Sequence, residues 1–158
     1  MSDKITPFLW FDGQAEEAVN FYVSVFKNAK IHHVMRNTEA SPGETGTALV
    51  IEFELDGQRF MALNGGPEYK FTPAVSFSID CKDQAEVDYY WDRLTEGGRE
   101  VQCGWLEDKY GLSWQVVPSV LPELLGSDDR KKADAAMAAM MEMVKLDIAE
   151  LQAAYDAA

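Results

Sequence analysis

The spacing of apolar residues divides the chain into two similar stretches and a tail. Thr6 to Phe11 reads as a short strand. Ala15, Ala18, Val19, Tyr22 and Phe26 then recur at helical spacing, predicting a helix that begins near Asp12 or Gly13. Three strand-like runs follow, Ile31 to Arg36, Thr47 to Leu55 and Gln58 to Asn64. In "ALVIEFEL", Leu49, Ile51, Phe53 and Leu55 take one face and Glu52 and Glu54 the other, because a strand sends alternate side chains to opposite sides. Asp56-Gly57 between the last two runs predicts a two-residue hairpin, whose favoured turn needs positive φ at both central positions.

The second stretch repeats this order. Val75, Phe77 and Ile79 alternate with Ser76 and Ser78 in a strand from Ala74 to Asp80. Asp83 is placed to cap a helix with Glu86 reaching back. Val87, Tyr90, Trp91 and Leu94 form that helix's apolar stripe, and Gly97-Gly98 stops it. Strands around Glu100 to Leu106 and Leu112 to Pro118 follow, turning through "EDKYG". The two helical stripes superpose at one constant offset: Ala18 with Val87, Phe21 with Tyr90, Tyr22 with Trp91, Val25 with Leu94. Such self-similarity implies duplication of a strand–helix–strands unit. The organisation predicted is α+β: module one over 1–67, module two over 68–122, and a helical tail over 123–158. In the tail Met137, Met140, Met141, Val144, Ile148, Leu151 and Tyr155 fall on one face of a single long helix, which is expected to dock on the sheet or on a second subunit.

Length and charge narrow the function classes. A chain of 158 residues is expected to be one domain with a sizeable core. A net charge of −13 and a pI near 4.4 argue against nucleic acid and anionic lipid as partners, since both are polyanions. "MSDKITPFLWF" lacks a signal-peptide apolar core, and no run approaches the ~20 apolar residues of a membrane span. A cytoplasmic protein is expected. Cys81 and Cys103 lack C-x-x-C spacing and are expected to be thiols, small buried hydrophobes unless Cys103 is reactive.

The strings "ITPFLWFDGQAEEAVNFY", "NGGP" at 64–67, "VSFSIDC" and "CGWLEDKYGLSWQVVP" resemble the PhnB-like branch of the vicinal oxygen chelate superfamily, relatives of glyoxalase I and bleomycin-resistance proteins whose members carry a 3-demethylubiquinone 3-methyltransferase-like label. The resemblance implies paired βαβββ modules whose sheet cups a pocket, usually in a homodimer. It also implies where divalent-metal ligands belong: Pro7, a position near Ala62, Ala74 and Gln115. Proline and alanine offer no donor, and one neutral amide does not hold zinc, nickel or iron. Elsewhere His32 and His33, as strand neighbours, are expected on opposite faces. Glu52 and Glu54 share a face, where a hard cation or acid–base work is conceivable and a solvated strand face is the plainer reading. No metal and no cofactor are expected.

Parity places Ser113, Gln115 and Val117 toward the cup, with Trp114 and Val116 beneath a helix. By the same parity the ligand-binding pocket is expected to draw on Leu9, Phe11, Phe60, Asn64 and Ser76, with Ala62 and Ser78 beside them, and on Cys103 and Trp105, which share a strand face. Such a lining suits a small hydrophobic or aromatic ligand. The alternatives are a metal-independent enzyme using Cys103, Asp108, Lys109 or Tyr110 and, last, methyl transfer. The latter lacks a glycine-rich turn opening a helix, since Gly65-Gly66 precedes Pro67 and Gly97-Gly98 closes a helix.

Overall fold

The computed structural model describes residues 4–158; the first residues of the stretch read for a leader lie outside them. The chain divides into two compact units, the first ending at Lys70 and the second running from Phe71 to Ala158.

In the first unit, β1 (Phe8–Phe11), α1 (Ala15–Val25), β2 (Ala29–Arg36), β3 (Ala48–Leu55) and β4 (Gln58–Asn64) build one sheet in the order β1-β4-β3-β2. β1 runs parallel to β4 and the other pairs are antiparallel. The predicted hairpin forms: Asp56 (φ 47°) and Gly57 (φ 86°) both adopt the left-handed conformation. α1 covers one sheet face, burying Ala15, Ala18, Val19, Tyr22 and Val25 against Leu9, Phe11, Ile51, Phe53, Leu55, Phe60 and Ala62, all buried. Phe53 and Phe60 face each other in register and stack with centroids 5.4 Å apart.

Two bulges break the expected alternation. Between Met35↔Val50 and Arg36↔Ala48 the pairing skips Leu49, so Ala48 is buried in place of Leu49. Between Ile31↔Phe53 and His33↔Glu52 it skips His32. A bulge sets two neighbours against one partner residue, and His32 and His33 are both exposed, so the strict alternation behind the opposite-face expectation is interrupted here.

The second unit repeats the architecture: β5 (Ser76–Cys81), α2 (Gln84–Thr95), β6 (Arg99–Glu100), β7 (Trp105–Glu107) and β8 (Ser113–Pro118), in the order β5-β8-β7-β6. Asp83 caps α2 by accepting from the Glu86 backbone N–H at 2.9 Å; Glu86 reaches back to the Lys82 N–H at 3.1 Å, one residue before the expected partner. Gly98 lies so close to β7 that a Cβ there would sit 2.1 Å from the Glu107 carbonyl oxygen. The run expected as one strand, Glu100 to Leu106, is instead a hairpin. Cys103 (φ 58°) and Gly104 (φ 83°) turn the chain, so β6 and β7 pair with each other.

The tail is not one long helix. α3 (Val120–Leu125), α4 (Arg130–Met141) and α5 (Ile148–Ala157) pack around Leu121, Leu124, Ala136, Met143, Leu146 and Leu151. The breaks have local causes. Asp129 and Asp147 accept from the Lys132 and Glu150 backbone N–H groups, each capping a new helix start. The connector 142–146 is drawn onto the β6–β7 turn, where Cys103 N–H donates to Met143 O (2.8 Å) and Gly104 N–H to Val144 O (2.7 Å). The Gln84 side chain completes the attachment, donating to Leu146 O at 3.1 Å and accepting from Ile148 N–H at 2.8 Å. Of the expected apolar stripe, Leu151 is buried while Met137 and Met141 are exposed.

Candidate functional site

Each sheet has a face its helix does not cover. In the first unit register puts Phe8, Trp10, Val50, Met61 and Leu63 there. Trp10 is fixed from two directions: its indole N–H donates to Gly66 O at 2.9 Å, and its ring meets Tyr69 edge-on at 5.0 Å. Gly65 is needed for this, since a Cβ there would fall 2.4 Å from the Trp10 ring; "NGGP" serves to seat an aromatic ring. Farther along the same face Glu52 pairs with Arg59 at 2.8 Å and Glu54 with His32 at 2.9 Å. The Arg59 hydrogen bond holds the Glu52 carboxyl below the usual range, and the His32 hydrogen bond does the same for Glu54.

In the second unit the face away from α2 carries Ser76, Ser78, Trp105, Ser113, Gln115 and Val117 by register; Ser113 is buried there and Val117 packs against the tail's core. The Gln115 amide N–H donates to Ser76 Oγ at 3.0 Å, leaving its oxygen as an acceptor on the central strand beside Trp105, its cross-strand partner. On this face Glu107 pairs with Arg99, and Asp80 accepts a hydrogen bond from Ser119 Oγ at 2.6 Å. The opposite face is core, with Phe77 and Trp114 rings 5.8 Å apart and Cys81, Leu106 and Val116 buried. Burial pushes the Cys81 thiol up to about 12.

Asp108 organises the end of β8. It is buried, and its carboxylate accepts from the Tyr110 N–H (2.8 Å), the Leu112 N–H (3.1 Å) and the Trp114 indole N–H (2.9 Å). "EDKYG" is therefore a turn built on an internal carboxylate.

The sequence-predicted residues separate into four groups. Leu9, Phe11 and Phe60 lie under α1 in the core, as does Ala62. Asn64 ties α1 to the sheet, accepting from Ala15 N–H at 2.9 Å and donating to Ala48 O at 3.0 Å. The parity assigned to the first module was inverted: the wholly apolar face belongs to the helix. Phe8 and Trp10 are the open-face positions that this inversion overlooked. Ser76, Trp105 and Gln115 do share one open face. Cys103 does not share it; it sits in the β6–β7 turn with its sulfur 4.0 Å from Met141 Sδ of α4.

The donor set does not fit a divalent ion. Among the described residues no group of three or more His, Cys, Asp or Glu converges, and Gln115 offers one neutral oxygen where such an ion needs several donors.

Twice over, a four-stranded sheet with a parallel β1–β4 type pair and a helix on one face defines the glyoxalase/bleomycin-resistance class of fold. Within it, the chain belongs to the family described as 3-demethylubiquinone-9 3-methyltransferase, in its PhnB-like branch, matching over residues 3–117. The PhnB protein from Bacillus cereus is 38% identical, covering 73% of this chain and 99% of that one with a TM-score of 0.69. Protein PA1353 from Pseudomonas aeruginosa is 20% identical over 74% of this chain and 98% of that one (TM-score 0.65). The fosfomycin resistance protein FosX from Listeria monocytogenes, solved with Mn(II) and sulfate, is 15% identical over 84% and 97% (TM-score 0.52) and shares the fold. No curated protein matches the chain. Among the described residues no helix is long and apolar enough to cross a membrane.

Proposed function

We propose that the chain is a cytoplasmic, homodimeric small-molecule-binding protein that receives a hydrophobic or aromatic ligand on the open face around Trp105, Gln115 and Ser76, without a divalent metal or other cofactor. The observation that carries this reading is Gln115 on the central strand β8, held by Ser76 and flanked by Trp105. An aromatic surface beside a fixed neutral acceptor suits a planar ligand with a hydrogen-bonding edge. Methyl transfer finds no support in the glycines, since Gly65 seats Trp10 and Gly97-Gly98 closes α2 against β7. The test combines metal analysis with titration of the neutral aromatic dye Nile red. Trp105→Ala is expected to weaken dye binding about tenfold, in line with ~1–3 kcal/mol for aromatic stacking. Unchanged binding in Trp105→Ala and Gln115→Leu would remove this face from the site. One tightly held divalent ion per chain would overturn the metal-free reading, and micromolar binding of S-adenosylmethionine would reinstate methyl transfer.

A further inference from the structure

The face around Gln115 holds more hydrogen-bonding capacity than a plain apolar ligand uses. The chain has four tryptophans. Trp10 gives its indole N–H to Gly66 O, Trp91 to Glu100 and Trp114 to Asp108. The indole N–H of Trp105 meets no acceptor among the described residues. Trp105, Gln115 and Ser76 are all half-buried. A glutamine amide carries two N–H donors and an acceptor oxygen, and a serine hydroxyl carries one donor. The bond from Gln115 Nε2 to Ser76 Oγ at 3.0 Å uses one of those three hydrogens. The second amide hydrogen, the hydroxyl hydrogen and Gln115 Oε1 stay available to a ligand. Because β8 lies between β5 and β7, the donors of Ser76 and of the Trp105 indole flank the Gln115 amide. The order across the three strands is donor, acceptor, donor. None of these side chains is charged, and a chain of net charge −13 repels anions.

We propose, resting on the reading of this face as the ligand site, that its ligand is a neutral planar ring with a cyclic imide edge, carbonyl–N–H–carbonyl. The imide N–H donates to Gln115 Oε1, and its two carbonyls accept from the Ser76 hydroxyl and the Trp105 indole. A quinone carries acceptors alone and leaves Gln115 Oε1 unmatched, and an aromatic hydrocarbon leaves every one of these groups unmatched. A polar group that gives up its water without gaining a partner costs affinity, and a site built to hydrogen-bond its ligand rejects the analogue lacking the bond.

The test is fluorescence titration of the full chain with naphthalimide, whose ring edge is a neutral imide, and with its N-methyl derivative, which keeps the ring and both carbonyls but has no N–H. Naphthalimide is expected to bind at least about tenfold more tightly. Gln115→Leu should bring the two compounds to equal affinity. Trp105→Phe, which keeps an aromatic ring without the N–H, should weaken naphthalimide about tenfold. The comparison of the two compounds on the unaltered chain stands even if a variant fails to fold. Equal affinity for both, no binding of either, or a preference that survives in Gln115→Leu would overturn the proposal. Equal affinity together with the Nile red loss in Trp105→Ala would strike the imide and keep the face as the ligand site; no response to naphthalimide and none of Nile red to Trp105→Ala would strike the face itself.

Discussion

Replacing Asp108 by alanine is the sharpest probe of how the second unit presents Gln115. The carboxylate serves three donors, the Tyr110 and Leu112 amides and the Trp114 indole. Hydrogen bonds to a charged partner contribute about 1.5–3 kcal/mol each, and a donor stranded without water costs about 1–3 kcal/mol. The Tyr110 amide is part-buried and can be rehydrated. The Leu112 amide and the Trp114 indole are buried, and they set the cost. Asp108→Ala is therefore expected to lose about 3–5 kcal/mol, and Asp108→Asn about 2 kcal/mol, since the amide keeps one acceptor but turns an N–H₂ toward a donor. For a chain of this length the loss in Asp108→Ala lowers Tm by roughly 6–20 °C, at about 2–4 °C per kcal/mol. Urea denaturation followed by near-ultraviolet circular dichroism, which senses Trp114, measures the difference at constant m-value. An Asp108→Ala protein within 0.5 kcal/mol of wild type would refute the argument, because it would mean that the three donors find water in the native state.

Two further outcomes concern the tail. Leu146 is fully buried in the tail's core, so Leu146→Ala should cost about 2–5 kcal/mol, and hydrogen exchange should quicken at the Cys103 and Gly104 amides before it does in β5 or β8; uniform quickening would contradict local anchoring. Lys145 and Asp88 pair at 2.9 Å, the Lys145 hydrogen bond lowering Asp88 and the Asp88 hydrogen bond raising Lys145. The stabilisation from Asp88 is then present above its unfolded value and lost as pH falls through the lowered folded one. That from Lys145 is present below its unfolded value and lost as pH rises through the raised folded one. With both partners well exposed the pair contributes at most about 1 kcal/mol; Lys145→Met should flatten the acid limb of the stability–pH curve by that amount, and an unchanged limb would dismiss the pair.

Hydrophobic alternation was enough to read both helix stripes, the Asp56-Gly57 hairpin and the first module's strand order, because each depends on local periodicity. Parity failed where the chain inserts a residue. Leu49 and His32 sit at bulges, whose extra residue leaves the alternation of apolar and polar letters looking intact. In the first module the side covered by α1 could be found only by asking which face is wholly apolar; Ile51, Phe53, Phe60 and Ala62 answer that question, and Glu52 and Glu54 mark the reverse side. The tail shows the opposite failure. A seamless apolar stripe ran through Val144 and Ile148, while the decisive signal was Asp147 with Glu150 three residues on, a capping pattern that outranks periodicity. Cys103 escaped because a non-glycine residue at positive φ leaves no compositional trace beyond the glycine that follows it.

The way the tail is fastened says something about its evolution. Two of its ties, to Met143 and Val144, join main-chain atoms to main-chain atoms, and Gln84 grips main-chain atoms as well. Main-chain groups are common to nearly every amino acid. Substitutions at Val144 and Ile148 therefore leave these hydrogen bonds available so long as they avoid proline at Ile148, whereas Met143 is held by its buried side chain as well.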